Sequence, residues 1–366
     1  LTTIKGDLSD LLTAYASNGI TGLGNEAITL DDTSVSVTDL NNLDSYTSGT
    51  INGSSITDIT GPISALTAAY SSQGISNLGT NIEVTDTTTS TSEINLLDNL
   101  SSGLINAATI NLLTGSSASV NTLYESAVTS GSDGILNLGN EVIILSDSVI
   151  DASSLTSIAT SSSGNIHVGE VVKIQGTTSS INALYDTYTH IQSLGNESIT
   201  ITDNVGSSSD LVTLDGNTTG IIDAASLYKI EGLLQDLNNT YSSTQFTGLN
   251  NEDITLTGTT ISSSYDVSNL NTLDGYTSGI INTNTLSSVS GFLADLLTSY
   301  QADGIINLGN EVITLMDTGT VAASDLTTLA TLNSSGTIDA RSVSTITGTA
   351  TQIKNAYADS TITEAS

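Results

Sequence analysis

A tandem repeat with a period of 55 to 60 residues constrains this chain more than any other feature of its sequence. One block reads G-I-x-x-L-x-N-E-x-I-x-L, and its copies start near residues 19, 74, 134, 190, 245 and 304. A second block begins and ends with glycines that are twelve residues apart, and a tyrosine follows nine residues after the closing glycine. The glycine–tyrosine pairs are Gly6–Tyr15, Gly61–Tyr70, Gly115–Tyr124, Gly176–Tyr185, Gly232–Tyr241, Gly291–Tyr300 and Gly348–Tyr357. Such a period predicts a repeat architecture in which each unit packs on its neighbours.

The residues between the closing glycine and the tyrosine have the spacing of a short amphipathic helix. In one copy, Ile63, Leu66 and Tyr70 are separated by three and then four residues, which places them on one helix face. A second helix is predicted over Thr38 to Tyr46. Alternating polar and apolar residues, as at 28 to 30, predict short strands between the helices.

Each repeat is therefore predicted to contain two coils of about 25 to 30 residues, each with short strands and one short helix. A coil of that size cannot bury its own apolar face, so successive coils must stack. We predict a parallel β-solenoid of about a dozen coils, mainly β, as a single elongated domain over residues 1–366. The first and last residues match the middle of repeats, which predicts partial repeats at both ends.

The charge of the chain excludes several classes of partner. The sequence has 38 acidic and 5 basic residues, and its formal net charge is −33. Nucleic-acid binding uses clustered lysine and arginine, and the five basic residues are scattered, so neither nucleic acid nor an anionic membrane is expected. The chain has no cysteine and no apolar run long enough for a membrane-spanning helix.

Carboxylates recur at two positions of the repeat and are candidate calcium ligands. Calcium binds roughly six to eight oxygen atoms, and stacked carboxylates would repel each other without a cation between them. The alternative is that these acids cap helices or face the solvent, since no EF-hand loop appears. The candidate metal ligands are Glu26, Asp32, Glu141, Asp147, Glu197, Asp203, Glu311 and Asp317.

The sequence contains no recognisable catalytic centre. His167 and His190 occupy different positions of the repeat, and no G-x-S-x-G nucleophile elbow is present. A pectinase-like solenoid enzyme would need a cluster of acids that does not repeat, whereas these acids recur in most repeats. We therefore predict that the protein is not an enzyme and has no catalytic or cofactor-binding residues, structural calcium aside.

The segments Gly19 to Leu30, Asp39 to Asp44 and Gly336 to Ala340 resemble tandem repeats in giant surface proteins of marine cyanobacteria. They are also similar to repeats of large bacterial adhesins and surface-layer proteins, and the resemblance covers nearly the whole chain. It implies export, calcium-rich surroundings and a structural or adhesive role.

The function expected from these observations is that of an extracellular structural protein. It would form or decorate a cell-surface filament or layer and would assemble with copies of itself through stacked repeats. The alternative is an adhesin or a phage-fibre-like binding module that recognises surface glycans, with a surface polysaccharide as its partner.

Overall fold

The computed structural model describes residues 1–79, 81–128 and 130–364. Contacts between residues group the chain into two compact units. One contains Leu1–Val172 and Asp186–Leu194, and the other contains Lys173–Tyr185 and Gly195–Ser366. The prediction of one elongated domain concerns the arrangement of these two units, and it remains a prediction.

Short helices of seven to ten residues recur throughout the described residues. They are α1 Leu8–Tyr15, α2 Val37–Tyr46, α3 Ile63–Ser71, α4 Thr91–Leu100, α5 Ser117–Glu125, α6 Ala152–Ser161, α7 Thr178–Thr187, α8 Ser208–Asn217, α9 Leu234–Ser242, α10 Ser268–Asp274, α11 Leu293–Gln301, α12 Ala323–Leu332 and α13 Ala350–Ala358. The odd-numbered helices are the predicted glycine-to-tyrosine helices, and α2 is the second predicted helix. Both helix predictions are confirmed.

The strands are two to four residues long. Up to residue 192 they are β1 Thr3–Gly6, β2 Ala27–Leu30, β3 Ser34–Ser36, β4 Ile51–Asn52, β5 Asp58–Gly61, β6 Ile75–Ser76, β7 Asn81–Val84, β8 Thr88–Ser90, β9 Leu104–Asn106, β10 Leu112–Gly115, β11 Ala127–Val128, β12 Gly134–Leu136, β13 Val142–Leu145, β14 Val149–Asp151, β15 Ile166–His167, β16 Lys173–Gly176 and β17 Ile191–Gln192. After it they are β18 Ser198–Ile201, β19 Val205–Ser207, β20 Ile222–Asp223, β21 Lys229–Gly232, β22 Phe246–Thr247, β23 Asp253–Leu256, β24 Thr260–Ile261, β25 Ile281–Asn282, β26 Ser288–Gly291, β27 Ile305–Ile306, β28 Val312–Leu315, β29 Thr320–Ala322, β30 Thr337–Ala340, β31 Thr345–Thr347 and β32 Ile362–Glu364.

Parallel sheets and stacked helices form the first unit. Its sheets have the strand orders β1–β2–β4–β6, β11–β12–β9–β7–β5–β3 and β17–β15–β13–β10–β8. Equivalent apolar residues of successive coils pair in register, because each strand joins the next at the same repeat position. One buried column contains Val35, Ile59, Ile82, Ile105 and Ile135. Helices α1 to α6 contact one another in sequence.

The second unit repeats this arrangement. Its strands pair in the orders β16–β18–β20–β22, β19–β21–β23–β25–β27, β24–β26–β28–β30–β32 and β29–β31. Ile230, Ile254, Ile281 and Ile305 form an equivalent buried column. Helices α8 to α13 also contact one another in sequence. In both units the core therefore lies between the inward side chains of the strands and the leucine-rich faces of the helices.

Two kinds of coil alternate along the chain. A Gly-Tyr coil ends in an odd-numbered helix; strands β4 and β5 and helix α3, for example, form one such coil. A Glu coil ends in an even-numbered helix, begins with the G-I-x-x-L-x-N-E block and carries its glutamate in five of the six copies. The prediction of two coils per repeat, each with strands and one helix, agrees with these elements.

The predicted parallel strands and short helices are present, but a mainly β fold is not what the structure shows. Parallel strands and helices alternate throughout the described residues, and each helix is at least twice as long as the strand it follows. The arrangement is therefore a repeating α/β one with several parallel sheets. The helices in the described residues are also too short and too polar to cross a membrane.

Candidate functional site

A buried glutamate recurs in the Glu coils and is the most unusual polar feature of the fold. Glutamate is almost never fully buried unless its carboxylate is paired. Each copy here exposes at most 1 % of its surface. The five residues are Glu26, Glu141, Glu197, Glu252 and Glu311.

The carboxylate of each buried glutamate accepts a hydrogen bond from the tyrosine of the preceding Gly-Tyr coil. Oxygen–oxygen distances are 2.7 Å from Tyr300 to Glu311 and 2.8 Å from Tyr241 to Glu252. Tyr15, Tyr124 and Tyr185 make the equivalent bond at 2.9, 3.0 and 3.3 Å. The tyrosine at the end of each of these helices therefore contacts the next coil.

Backbone N–H groups supply the other donors to the carboxylate. The N–H two residues before the glutamate donates at 2.7 Å from Gly24 and 2.9 Å from Gly309. In four copies the N–H immediately before the glutamate also donates to the same oxygen. Donation of several N–H groups to a carboxylate favours its ionised form, and the Gly24 N–H is the main reason why the pKa of Glu26 lies below its usual value.

The backbone of the same glutamate contacts the following Gly-Tyr coil. Its carbonyl oxygen accepts a hydrogen bond from Thr47, Thr218 or Thr277 in three copies and from the Asn333 amide in a fourth. The glycine that opens the second block passes against this carbonyl so closely that a Cβ would lie 2.0 to 2.2 Å from the oxygen. The repeated glycine is therefore required by this close approach. These glycines are Gly49, Gly164, Gly220, Gly279 and Gly336.

A second recurring acid caps the odd-numbered helices from outside their own coil. Asp32 accepts the N–H of Leu8 at 2.7 Å, and Asp317 accepts that of Leu293 at 2.8 Å. The equivalent bonds run from Ile63 to Asp86, Ser117 to Asp147 and Thr178 to Asp203. A carboxylate at a helix N-terminus satisfies a free N–H and interacts favourably with the helix dipole. The aspartate of one coil thus caps the helix of the coil before it.

The predicted calcium ligands are therefore found at opposite ends of a neighbouring helix. In each predicted pair the glutamate contacts the tyrosine at its C-terminal end, and the aspartate contacts the N-terminal end. No group of three or more histidine, aspartate or glutamate side chains in the described ranges is placed to hold a metal ion. Calcium binding by these residues remains a prediction.

The copy that leads to α4 shows how the contact changes without a glutamate. There Asn81 occupies the position that follows the glutamate elsewhere, and residue 80 is a threonine outside the described residues. Tyr70 donates instead to the carbonyl oxygen of Gly79 at 2.7 Å. Burial raises the pKa of Tyr70 to about 12 and also raises the pKa of Tyr124, Tyr185, Tyr241 and Tyr300.

Asparagine side chains form a further set of contacts that the repeat pattern did not indicate. Asn41 of α2 donates to the carbonyl of Ala65 in α3 at 2.9 Å, and Asn271 of α10 donates to Asp295 in α11 at the same distance. Asn95, Asn121, Asn182 and Asn238 make equivalent bonds to the following helix. Asparagine on a helix face is the only signal for this role in the sequence.

No protein-family model, curated protein or solved structure matches this chain.

Proposed function

We propose that this protein is an extracellular structural protein whose stacked coils form part of a filament or layer at a cell surface. One observation carries the proposal: the acids that recur in most repeats are used for contacts between successive coils. Glu311, for example, is bonded to Tyr300 of the preceding coil and to Asn333 of the following coil. A protein that devotes the same side chains to coil stacking in repeat after repeat is suited to a mechanical role.

The parallel, in-register pairing within each unit supports a solenoid in which every coil is the template for the next. This organisation favours a second copy of the same chain as the partner. The net charge of −33 opposes close lateral packing of copies at low salt. Assembly is therefore expected to be favoured by salt, which screens charges beyond roughly 10 Å at 0.1 M ionic strength.

Negative-stain electron microscopy and sedimentation velocity over a range of protein and salt concentrations test this proposal. Filaments or a lattice, with a sedimentation coefficient that rises with protein concentration, are expected. Particles that stay monomeric under all these conditions would refute self-assembly. Antibody labelling of intact source cells tests the location separately, because an intracellular protein would be labelled only after permeabilisation.

The Glu coil that ends in α10 lacks the capping aspartate of the other copies. This difference favours a second candidate function, the recognition of glycans.

A further inference from the structure

The Glu coil of α10 differs from the other five at two places. Gly258 stands where the others carry the capping aspartate. Four extra residues also separate the last strand from the helix, within 262–266, and α10 has seven residues where the other even-numbered helices have ten. Loss of an N-cap costs about 1 kcal/mol of stability, so this coil gives up a contact that the others keep.

The N-terminus of α9 is left without a cap as a result. Leu233 is at the N-cap position and makes no side-chain bond to the helix. The N–H of Leu234 has no carboxylate acceptor in the described part of the chain, whereas the N–H groups of Leu8 and Leu293 have one at 2.7 and 2.8 Å. This helix therefore presents a free N–H donor, and Asp236 in its first turn interacts with the positive end of its dipole.

Two adjoining cavities open at this uncapped end, and Leu233 lines both. One, of about 170 Å³, is mainly apolar and is lined by Leu256, Ile261 and Tyr265. The other, of about 290 Å³, has a mixed polar and apolar lining that includes Ser208, Glu231 and Asp236. Together they offer an apolar wall, carboxylate acceptors and hydroxyl groups at one helix end.

Ser208 provides independent evidence for a ligand. The residue is 0 % exposed, and its hydroxyl has no hydrogen-bond partner. The hydroxyl lies against Gly232, and both residues line the second of these cavities. At the equivalent position of α4, Thr91 has a partner in the Ser119 hydroxyl. An unpaired buried polar group costs about 1–3 kcal/mol, so a hydrogen-bonding occupant would remove this cost.

We propose that these cavities bind a neutral sugar residue of a glycan. Asp236 in the first turn of α9 and Glu231, which is paired with Lys229, disfavour an anion and offer acceptors for hydroxyl groups. A neutral polyol fits this lining, because its hydroxyls donate to Asp236 and accept from Ser208 and the Leu234 N–H. The C–H face of a sugar ring would lie against Leu233 and Tyr265.

Isothermal titration calorimetry with glucose, galactose, mannose, N-acetylglucosamine and their oligomers tests the proposal, with glucuronate as the charged comparator. Binding of at least one neutral sugar is expected, with glucuronate bound more weakly. If no neutral sugar binds, or if glucuronate binds more tightly, the proposal is wrong.

Gly258→Asp is the decisive variant, because it restores the residue found in the other copies. A Cβ at Gly258 would lie 3.4 Å from the nearest atom, the Cδ2 of Leu233, so the side chain can be accommodated. We expect a higher melting temperature and at least tenfold weaker sugar binding, which separates loss of the site from misfolding. Tyr265→Ala should also weaken binding.

Gly319→Asp is the matched control, because it adds the same charge at an exposed glycine of the next Glu coil, where a Cβ would contact nothing within 4 Å. It should leave sugar binding unchanged. Unchanged affinity in Gly258→Asp would overturn the proposed location. Self-assembly should be the same in all these variants, so failure of the sugar site and failure of the filament proposal give different results.

Discussion

At the scale of single residues, the buried glutamate determines which other residues its repeat must contain. An isolated carboxylate in the interior would cost several kcal/mol. Here the tyrosine hydroxyl and one or two N–H groups stabilise it, and the opening glycine leaves room for its carbonyl. The regular occurrence of Glu, Tyr and Gly in the sequence is therefore the signature of one contact.

A double-mutant cycle on Tyr300 and Glu311 measures this contact. Hydrogen bonds to charged groups contribute roughly 1.5–3 kcal/mol, so Glu311→Gln should lower the free energy of unfolding by about that amount. Tyr300→Phe should cost less in the Gln variant than in the wild type, because the two residues share one bond. Urea unfolding gives the four energies, and strictly additive effects would contradict the coupling.

Tyr70→Phe is the natural comparison, because Tyr70 donates to a neutral carbonyl. Its effect on the free energy of unfolding should be closer to about 1 kcal/mol.

Alkaline pH should destabilise the protein through these tyrosines. Burial raises the pKa of Tyr70 from 10.0 to about 12, and it raises the pKa of Tyr300 as well. A raised folded-state pKa means that the stabilisation is complete below pH 10 and is lost as the pH rises above it. Urea unfolding from neutral pH to pH 12, with tyrosinate absorbance as a second probe, should show this loss. Tyr300→Phe should reduce the pH dependence, and an unchanged pH dependence would argue against it.

The glycine that opens the second block should not tolerate a side chain. In Gly220→Ala the new Cβ would lie 2.1 Å from the Glu197 carbonyl oxygen, so the backbone must move. We expect a loss of about 1–3 kcal/mol, typical of overpacking. Gly216→Ala is the control, because a Cβ there meets nothing within 4 Å. Thermal unfolding of both variants should separate them, and equal midpoints would disprove the steric explanation.

At the scale of elements, the helices depend on their neighbours. Isolated helices of seven to ten residues are unstable in water. Here an aspartate of the next coil caps each of five odd-numbered helices, and asparagine amides join consecutive helices. Coil stacking and helix formation are therefore coupled.

Asp317→Ala tests the cap supplied by a neighbouring coil. It removes the acceptor of the Leu293 N–H and should cost about 1 kcal/mol, with an upper limit of about 2. Asp295→Ala is the matched control, since Asp295 lies in the first turn of the same helix and its loss affects only the dipole, worth about 0.3–1 kcal/mol. Chemical denaturation should rank Asp317→Ala as the more damaging change. The reverse order would indicate that the cap is unimportant.

At the scale of the whole molecule, the dominant property is the net charge of −33. Any cation should raise stability by screening this charge. Specific calcium sites make a sharper prediction, because Ca²⁺ accepts flexible oxygen coordination that Mg²⁺ does not. Calcium should then raise the melting midpoint more than an equal concentration of magnesium, and a chelator should reverse the increase. Equal effects of the two ions, or a calcium increment that is not reduced at all in Asp317→Asn, would speak against the predicted ligands.

Many of the elements could be predicted because they follow from local patterns. The spacing of Ile63, Leu66 and Tyr70 is a property of one helix, and the alternation around Ile28 is a property of one strand. Each requires only neighbouring residues. The mainly β assignment was less accurate, because short strands recur in every coil and the sequence pattern does not show how many residues each strand contributes to a sheet.

The partners of the acids could not be predicted in the same way. Asp32 and Leu8 are 24 residues apart, and Glu26 and Tyr15 are 11 apart, so their contacts depend on how one coil lies on the next. The absence of an aspartate at Gly258 is visible in the sequence. That Gly258 lines a cavity beside α9 follows only from the packing around Leu233.

The amino-acid sequence alone therefore determined the repeat, the two coils in each repeat and the positions of most helices, because periodicity and helix spacing are local properties. Tertiary structure alone decided that the glutamate is buried against a tyrosine and that the aspartate caps a neighbouring helix. The physical reason is that a hydrogen bond needs two groups within about 3 Å, and only the stacking of coils brings residues so far apart in the chain to that distance.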